Sequence, residues 1–264
     1  MKPGSMAYGQ SDVHLRYDAG RRVSPDAARV LKRALRRFGP RRVDLVVDLG
    51  CGTGRFAAVL SETFDTPVLG VDPAANMIAT AKAKTDPDKV CFVRGSADRI
   101  PLKDGSADLV FMSQVFHHLV DRAAALTEIR RVLWHEGRFV IRQTTLENLD
   151  SYFYQRFFPA ARELDEQRLP SRALLVNLAA SCGFRLIALE TLRSEIAASS
   201  GEYVAKIGLR TYSDLESISD EAFRDGLNAL AAYAAASPDF PKSAENDLIV
   251  LAATSRCGDH EPPC

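Results

Sequence analysis

The residues most able to do chemistry cluster early in the chain. Within VDLGCGTGRF, Asp48 is followed by Gly50, Gly52 and Gly54, directly after an apolar run. Glycine reaches backbone conformations closed to other residues and lets a ligand touch the main chain. The spacing departs from the dinucleotide fingerprint, because Arg55 stands where the third glycine of G-x-G-x-x-G would fall. No G-x-x-x-x-G-K-[ST] stretch is present either, which excludes a P-loop. Asp72 ends the next apolar run. A carboxylate there can accept hydrogen bonds from ribose hydroxyls, so an adenosine-bearing ligand is expected. The same residue suits a helix N-cap before Pro73, and the two roles are compatible. Further on, His117 and His118 follow another apolar run. An imidazole there could deprotonate a hydroxyl or acid, or it could simply pack at the start of the next loop.

These residues need a scaffold that brings strand ends together. Ser24-Pro25 reads as a helix start, and Ala27, Val30, Leu31, Ala34, Leu35 and Phe38 follow helical spacing up to Gly39-Pro40. Strands are then expected at 45–49, 68–72, 90–94, 107–113 and 138–143, with helices at 53–64, 74–85 and 121–134. Residues 147–180 and 202–236 read as helical, and 185–196 and 247–255 as strands. Alternation of this kind predicts a parallel sheet with helices on both faces, whose ligands bind beyond the carboxyl ends of the strands.

Composition narrows the remaining classes. The 264 residues carry 34 basic and 34 acidic side chains, so no global charge draws the chain to nucleic acid or an anionic membrane. Arg29, Lys32, Arg33, Arg36 and Arg37 form one basic helix face, read as a solvated outer face, and nucleic acid is not an expected partner. No apolar run reaches the roughly 18 residues of a membrane span, and MKPGSMAYGQ lacks the apolar segment of a secretory signal. Five scattered cysteines without a CxxC suit a reducing cytoplasm. Cys257, His260 and Cys264 lie in a Pro-rich end read as a flexible tail over 257–264, and no metal is expected.

Three stretches, DLGCGTGRF, GVDPAANMI and RGSADRIPLKDGSADLVFMSQVFHHL, resemble in order and spacing the class I S-adenosylmethionine-dependent methyltransferases. The likeness covers about residues 43–143 and is greatest to the small-molecule, type 11 group of the ubiquinone/menaquinone-biosynthesis kind. It implies an α/β fold: a Rossmann-like doubly wound seven-stranded sheet, mostly parallel with the last strand antiparallel, plus a helical cover. The expected organisation is a single domain over 1–256, with its core at 43–143, 185–196 and 247–255 and its cover at 1–38, 147–180 and 202–236.

The resemblance also implies the cofactor, S-adenosylmethionine, and its contacts. Asp48, Gly50, Cys51, Gly52 and Gly54 match the turn that receives the methionine and ribose portion. Asp72, with Pro73 beside it, matches the residue that binds both ribose hydroxyls, and Met77 sits where an apolar side chain flanks adenine. Ser96-Ala97-Asp98 stands where the family usually has Asp-Ala-Glu, so the adenine amino contact is weakened or falls to Asp98 or water. Ser113 and Gln114 match the strand end that meets the methionine amino group. Tyr17 and Arg22 resemble residues that close over the cofactor carboxylate.

The implied function is methyl transfer to a small-molecule acceptor. Tyr152, Tyr154 and Phe157 follow the fifth strand, where the family places a substrate lid, and suit an apolar or ring-containing acceptor, although their spacing also fits ordinary helix packing. Glu147, Asn148 and Tyr212 are further polar candidates. Methyl transfer needs alignment and exclusion of water more than a hydrolase-like triad. A base is required only when the nucleophile starts protonated, and His117 and His118 are the candidates. A non-catalytic cofactor-binding regulator and an RNA methyltransferase are the competing readings. Only the basic helix favours the latter, and no [DN]-P-P-[YFW] motif accompanies it.

Overall fold

A computed structural model describes residues 13–254; the C-terminal stretch 257–264 and Tyr8 lie outside the described residues. Two helices, α1 (Val13–Arg21) and α2 (Pro25–Phe38), precede the sheet. Helix α2 starts where its residue types dictate: Ser24 Oγ accepts from Ala27 N at 3.1 Å and Pro25 opens the first turn. It buries Leu31, Ala34 and Leu35 and leaves its arginines outward.

Strands and helices then alternate: β1 (Val46–Leu49), α3 (Ala57–Phe64), β2 (Val68–Asp72), α4 (Ala75–Lys84), β3 (Val90–Arg94), β4 (Ala107–Ser113), α5 (Arg122–Val132) and β5 (Leu133–Gln143). Helices α6 (Pro159–Arg168) and α7 (Arg172–Ser181) lead into β6 (Phe184–Glu195). Helices α8 (Ser200–Gly208), α9 (Ser213–Ser217) and α10 (Asp220–Ala236) separate β6 from β7 (Ser243–Ala253).

The seven strands lie in the order β3-β2-β1-β4-β5-β7-β6, and only the β5–β7 and β7–β6 pairs are antiparallel. The chain therefore reverses its direction of winding between β1 and β4, where a crevice opens at the carboxyl ends of the strands. Val46, Leu109 and Phe111 pack on one face, Val47, Val110 and Met112 on the other. Burial on both faces explains the unbroken apolar runs. A third apolar cluster, rich in aromatics, lies under the cover: Phe153 stacks on Phe240 at 4.7 Å, and Tyr154, Tyr203 and Phe158 are fully buried.

Several expected boundaries move for local reasons. Gly54 has a φ of 73°, which a helix cannot continue through, so α3 begins at Ala57 rather than at 53. Leu133 is buried and pairs with Ala107, so β5 starts there and α5 ends at Val132, short of 134. The start of the stretch 147–180, expected to be helical, instead lies in two 3₁₀ turns, Leu146–Ser151 and Phe153–Phe157. The first is fixed by a capping box between Thr145 and Asn148. Pro170 separates α6 from α7, because the residue before a proline avoids helical geometry. The strand expected from 247 begins at Ser243, where its first residues already pair with Leu192–Glu195 of β6. Among the described residues, no helix is long and apolar enough to cross a membrane.

Candidate functional site

Strand β1 runs directly into the glycine turn. Gly50 N and Cys51 N both donate to Val71 O, at 2.7 and 3.1 Å, which folds the turn over the end of β2. Gly50, Gly52 and Gly54 have φ values of 73°, 54° and 73°. A Cβ on Gly50 would stand 2.4 Å from Val115 Cγ2, and one on Gly54 2.7 Å from Phe92 Cζ. A Cβ on Gly52 would meet nothing within 4 Å. Two of the glycines thus admit neighbouring side chains, while Gly52 leaves the backbone bare toward open space. Asp72 braces the arrangement: Oδ2 accepts from Gly52 N and Oδ1 from Ala74 N, both at 2.8 Å. Burial raises its pKa and these two bonds oppose the rise.

A cavity of about 370 Å³ opens over this turn. Of the residues singled out in the sequence, Gly50, Gly52, Asp72, Pro73, Met77, Ser96, Ala97, Asp98, Ser113, Gln114 and Tyr17 line it, and so do His117, His118, Tyr152, Tyr154 and Tyr212. Helices α1, α6 and α9 close its sides through Tyr17 and Arg21, Asp165 and Arg168, and Ser213 and Asp214.

Seven expected residues stand elsewhere. Asp48 lies beneath the turn, 2% exposed, with its carboxyl pushed up to about 7 by burial and by Asp72, against the pull of Arg55. Cys51 is buried with its sulfur toward Gly70, and burial raises its thiol pKa. Gly54 backs onto Phe92. Phe157 packs with Phe153 and Tyr233, at 5.7 and 5.4 Å between ring centroids, because the 3₁₀ turn points it away from the cavity. Arg22 follows the last residue of α1 and is exposed; Arg21 faces the cavity instead, 3.9 Å above the Tyr212 ring centroid. Glu147 and Asn148 cap backbone: Glu147 accepts from Arg172 N at 3.0 Å, and Asn148 from Thr145 N at 2.9 Å.

Beyond β4 the backbone is strained. Gln114 is left-handed with a φ of 58°, uncommon for a residue with a side chain. Its side chain holds the position: Nε2 donates to Thr144 Oγ1 at 2.8 Å and to Asn246 Oδ1, and Oε1 accepts from Thr144 N at 3.2 Å. Thr144 Oγ1 in turn lies 2.9 Å from Tyr152 OH. Gln143 Nε2 lies 2.9 Å from His117 Nδ1, which assigns that nitrogen as acceptor and places the ring proton on Nε2. Burial first, then His118, holds His117 well below the ordinary histidine range, and burial with Arg168 pushes His118 down to about 4. Both rings are neutral near pH 7, which makes His118 a weak proton acceptor.

Of the rest of the cavity lining, Tyr152, Tyr154 and Tyr212 stand out in the sequence, whereas Asp165, Arg168 and Asp214 do not. Tyr154 OH donates to Asp214 Oδ2 at 2.8 Å. Asp165 accepts from Gln155 Nε2 at 2.7 Å and from Arg168 Nε at 2.8 Å, and Arg168 also donates to Ser213 Oγ at 2.9 Å. Burial and then the neighbouring Asp214 push Asp165 up to about 7; burial likewise raises Asp214. Two buried carboxyls served by one guanidinium retain a proton near neutrality. The only local signal is the i,i+3 spacing of Asp165 and Arg168; the Tyr154–Asp214 contact joins residues 60 apart.

A family model described as a methyltransferase domain matches residues 47–141. The demethylmenaquinone methyltransferase of Lactiplantibacillus plantarum is 39% identical over 106 residues, 38% of this chain and 45% of that protein. The protein of the same description from Beutenbergia cavernae is 33% identical over 163 residues, 59% of this chain and 67% of its own length. The chain spans between 38% and 60% of the length of the first three curated relatives it matches. Among solved structures, an Anabaena variabilis protein described as a methyltransferase from an antibiotic biosynthesis pathway superposes with a TM-score of 0.71 at 20% identity, covering 88% of this chain and 98% of that one, which is a likeness of fold. With the glycine turn, the acidic end of β2 and the reversed β7 in one frame, the chain belongs to the class I S-adenosylmethionine-dependent methyltransferases.

Proposed function

We propose that this protein transfers a methyl group from S-adenosylmethionine to a small-molecule acceptor, apolar or ring-containing, bound at the tyrosine-lined end of the larger cavity. The observation that carries the reading is the bare backbone at Gly52 beside Asp72, facing one continuous cavity whose other end bears Tyr152, Tyr154 and Tyr212. The residues present fit the cofactor. Each Asp72 oxygen spends one acceptor site on a backbone N–H and keeps another for a ribose hydroxyl. Met77 and Ala97 offer apolar contact for adenine, and Asp98, exposed at the mouth, can accept from its amino group. The strained strand end at Ser113–Gln114 suits the methionine amino group, and Tyr17 and Arg21 suit its carboxylate.

When bound, the cofactor supplies a methyl group already activated by a sulfonium. The protein has to hold the acceptor in line, keep water out and take up any proton the acceptor loses. The neutral, low-pKa histidines fit positioning better than proton uptake. Tyr154 and Asp214 fit proton uptake: the phenol can face the acceptor while its own proton is held by a carboxyl 2.8 Å behind it. The curated relatives' names favour an aromatic or quinol-type ring as acceptor, in keeping with the three tyrosines. The test is transfer of label from methyl-labelled S-adenosylmethionine into metabolite fractions. Label entering a small molecule supports the reading. Tight cofactor binding with no transfer to any fraction favours the non-catalytic alternative, and transfer to RNA alone contradicts the small-molecule assignment.

A further inference from the structure

A second cavity, about 70 Å³, lies beside the first and shares Arg21, Tyr152 and Tyr212 with it. Its chemistry differs. Arg22, Arg55 and Arg142 also line it. Arg55 forms no hydrogen bond or ion pair among the described residues; its guanidinium rests 4.6 Å from the centroid of the Phe56 ring. Arg142 approaches the same ring from 5.4 Å and reaches only Ser113 Oγ, at 3.4 Å. Asp48, whose carboxyl the Arg55 charge pulls on, is buried and shifted to about 7, and Glu195, the one carboxylate lining the cavity among the described residues, is exposed. Lys206 is committed to Glu202 and Ile196 O.

Two guanidinium groups close together in a poorly solvated place repel each other and cost free energy unless an anion joins them. Burial lowers the pKa of both, Arg55 lowers that of Arg142 further, and Arg21 lowers both, which marks the same deficit of negative charge. Arginine forks match the oxygens of a phosphate or carboxylate, and a space of this size accommodates one such group. The shared wall places that group a side chain away from the acceptor end of the larger cavity.

We propose that the smaller cavity binds an anionic group of phosphate size carried by the methyl acceptor, with Arg55 and Arg142 as its ligands. This rests on the larger cavity being the transfer site. It makes the acceptor bipartite: the reacting part lies among the tyrosines and the anion behind Arg21.

The test is calorimetric titration of inorganic phosphate, and separately of acetate, into protein saturated with S-adenosylhomocysteine, so that the cofactor's own carboxylate is already in place. Saturable phosphate binding is expected, tighter than acetate. Arg142→Met and Arg55→Met should each weaken it at least tenfold and Arg142→Lys less, with S-adenosylhomocysteine affinity within twofold of the parent; thermal melts identify any variant that fails to fold. The proposal is overturned if the saturated protein binds no phosphate, if acetate binds more tightly, or if Arg142→Met and Arg55→Met weaken S-adenosylhomocysteine as much as phosphate, since the arginines would then serve the cofactor carboxylate. A parent protein that binds phosphate but not S-adenosylhomocysteine would overturn the transfer-site reading and leave the anion site in place.

Discussion

The two ends of the larger cavity are assembled from different kinds of sequence. The glycine end comes from successive strand-to-helix turns: Gly50 and Gly52 after β1, Asp72 and Pro73 after β2, Ser96 to Asp98 after β3, Ser113 and Gln114 after β4. Each turn is local, and the parallel register brings Leu49, Val71 and Met112 level so that the turns meet. The opposite end draws Tyr154, Asp165 and Arg168 from one side of β6 and Tyr212 and Asp214 from the other. That end is held together by hydrogen bonds and ion pairs between separate segments and by the aromatic cluster beneath them. A cradle made by the sheet suits a ligand common to many enzymes, whereas a wall made by inserted helices can change with the acceptor.

If the division is real, substitutions at the two ends should separate binding from turnover. The largest effect is expected at Asp214. Asp214→Asn keeps a hydrogen-bond acceptor for Tyr154 but removes the proton acceptor, and methyl transfer should fall about 10²–10⁴-fold, measured by label incorporation. A loss under about tenfold would remove Asp214 from proton transfer.

The glycines sharpen the comparison within the cofactor end. Gly54→Ala should destabilise by about 1–3 kcal/mol from the Phe92 clash, with a further ~1–2 kcal/mol from the left-handed backbone. Gly52→Ala should lose only the ~1–2 kcal/mol of backbone strain, yet bind S-adenosylhomocysteine poorly because its methyl enters the ligand's space. Urea unfolding with parallel calorimetry checks both. Equal stability losses at the two positions would contradict the distinction drawn from their surroundings.

A smaller effect concerns pH. Burial and the neighbouring Asp72 push the Asp48 carboxyl up to about 7 in the folded protein, from its ordinary value of 3.8. The folded state therefore keeps a proton that the unfolded chain has released. This contribution is fully present at acid pH and is lost as pH rises from about 4 through about 7. Asp165 acts with the same sign. Asp48→Asn should flatten the decline in urea midpoint between pH 5 and 8. An unchanged slope would mean that Asp48 is ionised in the folded protein.

How much could be read from sequence follows the same division. The alternating strands and helices and the glycines with Asp72 were legible because each rests on a short pattern of apolar run, turn and carboxylate, whereas the reversed last strand followed only from the family resemblance. Even there, side-chain direction escaped the pattern. Arg21 rather than Arg22 faces the larger cavity because α1 ends between them, and Asp48 and Cys51 sit behind the turn they belong to. Tyr152 and Tyr154 line the cavity while Phe157 does not, since a 3₁₀ turn distributes side chains differently from the expected α-helix. The acidic pair was illegible because its partners lie far apart along the chain and each reads alone as a surface residue of an amphipathic helix. Arg55 and Arg142 carry no such signal for a related reason: arginine is ordinarily solvent-facing, and only the fold shows both beside Phe56 with no carboxylate partner among the described residues.

The central claim is that the glycine end binds the cofactor and the helical end serves the acceptor. Calorimetry of S-adenosylhomocysteine against Asp72→Ala and Asp214→Asn tests it most directly. Asp72→Ala should weaken binding by about 1.5–3 kcal/mol, the range for hydrogen bonds to a charged group, while Asp214→Asn should bind as the parent does. Equal losses in both variants, or none in Asp72→Ala, would contradict it.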